Sequence, residues 1–147
     1  MKISTEIESI SKIFGEEKAV ELVAKAGFDA WDLSIFTFKY SWAEKIATRL
    51  DHPFFTDNYL KHVKKLKQIG LDNGIVCNQS HAPFPTNSPE ILSFVKRAIE
   101  CTAEAGGNIC IIHPDNHKSA EENAETSAPI QFEEELSAED DVLNEDN

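Results

Sequence analysis

Two short apolar runs, each closing on a histidine and cut off by a proline, constrain this chain more than any other feature. Gly74-Ile75-Val76-Cys77-Asn78-Gln79-Ser80-His81-Ala82-Pro83 is the first, and Asn108-Ile109-Cys110-Ile111-Ile112-His113-Pro114 is the second. Short apolar runs bounded in this way read as buried strands, and proline stops them from continuing. Two strands that end alike deliver His81 and His113 at the same end of a sheet, which points to a shared site.

What lies before and between these runs decides the fold class. Lys2 to Ile7 reads as a first strand. In Glu16 to Ala26, Ala19, Val20, Leu22, Val23 and Ala26 form an apolar stripe at helical spacing, with Gly27 as the stop. Phe28 to Phe36 reads as a second strand. Asp57 is placed to cap a helix from Asn58 to Ile69, ended by Gly70 and Asn73-Gly74. The third strand, Ile75 to Ser80, is followed by a helix with Asn87 or Ser88 as cap and Pro89 in its first turn, running to Gly106-Gly107. The fourth strand ends at His113. Ser119 and Glu122 form a capping box for a short further helix, interrupted between Thr126 and Pro129. Strands alternating with helices in this way predict parallel βαβ units with right-handed crossovers, an α/β fold. The connection after Phe36 carries Phe38, Tyr40, Trp42, Phe54 and Phe55, and a lid over a pocket and simple packing on helices are equally compatible with it.

Charge divides the chain in two. Of the net charge of −12, the last 34 residues, from Pro114, carry −11, with 12 acidic side chains and one basic. Such a tail repels itself and offers few apolar residues to offset ordering, so residues 126–147 are expected to be disordered. Phosphate backbones need clustered Lys and Arg, so no nucleic-acid partner is expected. The basic run Lys61 to Lys67 reads as a solvated helix face. The amino terminus lacks the apolar core of a signal peptide and no stretch reaches the ~20 apolar residues of a membrane span, so no membrane partner and a cytoplasmic location are expected. Cys77, Cys101 and Cys110 have no paired spacing and read as reduced thiols, two of them inside apolar runs.

In this order the segments resemble the first half of the xylose-isomerase-like TIM-barrel superfamily. The resemblance rests on Ala26-Gly27-Phe28-Asp29-Ala30-Trp31-Asp32-Leu33, on His81-Ala82-Pro83, and on the stretch from Ala98-Ile99-Glu100 to Ile112-His113-Pro114, and it covers residues 2 to 125. It implies a partial (β/α)8 TIM barrel of about four βα units over residues 1–125, followed by the acidic tail. It also implies a sugar or sugar-phosphate isomerase/epimerase, which moves a proton beside a carbohydrate carbonyl with the help of a divalent metal (Mn, Mg, Co or Zn). His81, His113 and Asp32 then contact a small-molecule carbohydrate at the carboxyl ends of the strands. Catalytic residues and metal ligands would come from later strands that this chain lacks, so the chain is expected to be truncated or altered after about Ala124, inactive alone, and to bind metal weakly or not at all.

Two other readings stand beside this one. In endonuclease-IV-like members of the superfamily, histidines at the positions of His81 and His113 ligate zinc. A non-enzymatic half-barrel, by contrast, exposes its first and fourth strands as open edges and is expected to form a homo-oligomer. Each site residue also has a bland reading. On that reading His81 and His113 do no more than terminate strands, and Asp32 is held by a backbone amide. Glu6 is a weaker candidate, and His52, His62 and His117 read as loop or surface residues.

Overall fold

Each segment rich in β-branched and aromatic residues pairs with the next one of its kind. The computed structural model describes residues 1–35, 52–84, 86 and 89–127. Strands β1 (Ser4–Glu6), β2 (Ala30–Ser34), β3 (Val76–His81) and β4 (Ile109–Ile111) lie side by side in sequence order, and every neighbouring pair is parallel. Helices α1 (Glu8–Phe14), α2 (Glu16–Lys25), α3 (Tyr59–Asp72), α4 (Pro89–Ala105) and α5 (Ala120–Ser127) occupy the connections and the end of the described chain, with a 3-10 turn at Pro53–Phe55. Parallel strands in sequence order, joined by helical crossovers, are the arrangement of a partial (β/α)8 barrel. No described helix is long and apolar enough to cross a membrane.

Three local departures from the sequence reading have physical causes. Between β1 and Gly27 the chain forms two helices, broken at Gly15, whose φ of +81° suits glycine. The first has little buried apolar face, since Ile13 and Phe14 are exposed, so it leaves no periodic signal. It is started by Glu6, whose carboxylate accepts the Glu8 N–H and, at 2.9 Å, the Ser9 hydroxyl. Helix α3 runs through Gly70 to Asp72 instead of stopping. A Cβ at Gly70 would lie 2.8 Å from Trp31 Nε1 and 3.1 Å from the Ile75 carbonyl, so this glycine makes room for the indole, and the stop falls to Gly74 at φ +80°. The N-cap position of the same helix is Asn58 rather than Asp57, without a side-chain capping bond, and the Asn58 N–H donates to Thr56 Oγ1 at 3.1 Å.

The core lies between the sheet and its helices. Trp31 and Leu33 of β2 are buried with Val20 and Val23 of α2, Val63 and Leu66 of α3, and Val95, Ala98 and Cys101 of α4. Each fully buried Val or Leu side chain among them stabilises the fold by roughly 1.5–3 kcal/mol. Phe54 and Phe55 stack edge-on against each other, at 5.4 Å between centroids, and both lie against Phe94 of α4. For these two rings, packing on helices is the answer. Phe38, Tyr40 and Trp42, the cap positions Asn87 and Ser88, and the tail from residue 128 lie outside the described residues. The three cysteines are free, and burial pushes the thiols of Cys77 and Cys101 up to about 12.

Candidate functional site

A strand alternates its side chains, so with Trp31 and Leu33 in the core, Asp32 and Ser34 face away from the helices. Ser4 and Glu6 of β1 reach the same face. The Ser4 hydroxyl donates to Asp32 Oδ1, and the Ser34 hydroxyl to Glu6 Oε2 at 3.4 Å.

On β3, strict alternation would put Cys77, Gln79 and His81 on one side. Instead Trp31 pairs with Cys77 while Asp32 pairs with Gln79, so Asn78 is an extra residue, a bulge in a parallel pair. The bulge leaves Cys77 in the core and turns Gln79 and His81 toward the face of Asp32 and Ser34. Gln79 Nε2 donates to Asp32 Oδ2 at 3.0 Å. Ser80 points the other way, its hydroxyl 2.5 Å from that of Thr102 on α4. The backbone behind the bulge is close-packed, since a Cβ at Gly107 would lie 3.3 Å from the Asn78 carbonyl.

His113 stands two residues beyond the end of β4, so it belongs to a loop rather than to the strand itself. The Ala82 N–H holds the Ile111 carbonyl at 2.9 Å, and the Thr86 hydroxyl donates to the His113 carbonyl at 3.2 Å. The His81 and His113 rings are stacked, with centroids 5.8 Å apart and planes 25° apart, and Phe84 lies 4.8 Å from His113. Both rings are partly exposed. The structure therefore brings His81 and His113 together and puts Asp32 on the same face. Asp32 is buried, and its partners are the side chains of Ser4 and Gln79. Such a face offers polyhydroxylated molecules a row of hydrogen-bonding groups and two flat rings. Among the described residues, the group of three close metal donors lies elsewhere and does not include His81, His113 or Asp32.

A second cluster was not legible in the sequence. Glu16 opens α2, His62 lies in the first turn of α3, and His52 immediately precedes the Pro53–Phe55 turn, and the packing of these three elements places the side chains next to one another. His52 Nε2 lies 3.1 Å and His62 Nε2 2.6 Å from Glu16 Oε2, with the two rings edge to face at 5.6 Å. The Phe54 N–H donates to His52 Nδ1 at 3.1 Å. Burial raises the Glu16 carboxyl, but the hydrogen bonds and charges of the two histidines outweigh it and bring the group down to about 2. His52 and His62 are thus paired and half-buried, not simple surface residues, whereas His117 is exposed. The partners are 36 and 46 residues from Glu16, and His52 lies in a loop, so no local spacing in the sequence signals the cluster.

No family model matches the chain, and no curated protein matches it. Among solved structures, it is similar to the crystal structure of a sugar phosphate isomerase/epimerase from Parabacteroides distasonis, with 18% sequence identity and a TM-score of 0.48. The match covers 88% of this chain and 44% of the other, so the chain spans less than half the length of that protein.

Proposed function

We propose that this chain is the amino-terminal half of a sugar or sugar-phosphate isomerase/epimerase-like barrel of the cytoplasm, whose strand-end face binds the carbohydrate. The observation that carries this reading is the bulge at Asn78, which spends a ladder position to turn His81 beside His113. In this role the two imidazoles hydrogen-bond substrate hydroxyl or phosphate oxygens. Asp32 fixes the Gln79 amide, two residues before His81 on the same face. The divalent metal of the whole barrel, and the carboxylates that move the proton, belong on this reading to strands beyond β4. The 147-residue chain then binds a sugar phosphate but does not turn it over.

Calorimetry with a ketose phosphate tests this, alongside an isomerisation assay with added Mg²⁺ or Mn²⁺. Expected are saturable binding that H113A weakens by about tenfold, the equivalent of ~1.4 kcal/mol, and no turnover. Turnover by the purified chain, or binding that H81A and H113A both leave unchanged, contradicts the reading.

One observation favours a second reading, self-association. Among the described strands β1 and β4 each pair on one side only, and Val76 and Ile109 are both 54% exposed. Edges and apolar positions of this kind are suited to pairing with another copy. Sedimentation velocity across a concentration series distinguishes the two, because a monomer at every concentration rules out the homo-oligomer.

A further inference from the structure

We propose that Glu16, His52 and His62 form a transition-metal site, with Zn²⁺ as the ion of choice, separate from the strand-end face. The donor set is the first ground. One ligand atom from each residue lies within 4.8 Å of the other two, and two imidazole nitrogens with one carboxylate oxygen is a set that suits zinc and cobalt. Geometry is the second. The nitrogens stand 3.1 and 2.6 Å from the same oxygen; the first is close to the ~3.3 Å edge of a tetrahedron with ~2.0 Å metal bonds, and the second reaches it when the His62 ring swings outward by roughly 0.7 Å. Access is the third. Glu16 and His62 also line an open surface groove with Gly15, Glu17 and Lys18, which supplies a path for the ion and leaves room for water as a fourth ligand.

Coordination requires each Nε2 to be free of its proton, and in each ring the proton then resides on Nδ1. For His52 this removes the acceptor of the Phe54 N–H, so the ion exchanges one hydrogen bond of the Pro53–Phe55 turn for a metal bond. Metal binding is therefore coupled to that turn, which a bystander ion on the acidic tail would leave untouched.

The test is titration of the full chain with Co²⁺ and Zn²⁺, read by the visible absorption of bound cobalt and by histidine and amide NMR. Expected are one bound equivalent, cobalt displaced by zinc, shifts confined to the His52 and His62 rings, and a displaced Phe54 amide resonance. E16Q, which keeps the size and an acceptor, and H62A each weaken binding by at least tenfold, while H117A leaves it unchanged. Absence of a cobalt band, or binding insensitive to both E16Q and H62A, overturns the proposal and leaves the cluster as a histidine-carboxylate tether. Because the NMR titration uses the unaltered chain, a variant that fails to fold does not obscure the result.

Discussion

Gly70 shows how one atom decides between opposing effects. Alanine is favoured over glycine inside a helix by roughly 1 kcal/mol, but here its methyl would meet Trp31 Nε1 at 2.8 Å in a packed core. Overpacking of this kind costs about 1–3 kcal/mol, so urea denaturation is expected to find G70A less stable than the parent. Glu16 gives a prediction in pH. Its carboxyl is held at about 2 in the folded chain against 4.5 ordinarily, a depressed value, so its contribution to stability is fully present above about pH 4.5 and is lost as the pH falls toward 2. E16Q is expected to cost roughly 1–3 kcal/mol at neutral pH, and the gap between parent and variant to close over that window. A gap independent of pH would mean that the charge of Glu16 is not what the two histidines hold. Neither residue's role could be read locally. Gly70 in sequence carries the mark of a helix stop, and what overrides it is an indole 39 positions away.

Among the elements, those governed by short-range rules were legible. The capping box at α5 is formed, with the Ser119 N–H donating to Glu122 Oε2 at 2.7 Å and the Glu122 N–H to Ser119 Oγ at 3.2 Å. The apolar stripes of α2 and α3 and the strand-helix alternation were legible for the same reason, because their periods are written in consecutive residues. The bulge in β3 was not, since it is a relation between two strands and not a property of either. The helix α1 was missed because it buries too little to mark its period. Helix α5 also fastens the loop that follows β4. Asn123 Oδ1 accepts the Asp115 N–H at 2.8 Å, and its amide donates to the Asp115 and Ser119 carbonyls at 3.0 and 2.9 Å. N123A is expected to cost about 1–2 kcal/mol locally, seen as faster exchange of the Asp115 amide while amides in α3 keep their protection. Uniformly faster exchange would show instead that α5 is part of the global folding unit.

For the molecule as a whole, the sheet has one face sealed by helices, polar groups at the carboxyl ends of its strands, and exposed Val76 and Ile109 at the amino ends of β3 and β4. This half-open architecture is why the chain reads both as a binding surface and as a partner for another half. In the proposed function the bulge at Asn78 and the loop after β4 build a carbohydrate-binding face from His81 and His113. With five histidines in the chain, imidazole NMR during titration with a ketose phosphate tests it residue by residue. The account predicts saturable shifts of His81 and His113, while His52, His62 and His117 stay in place. Shifts absent from His81 and His113, or spread equally over all five rings, would contradict it.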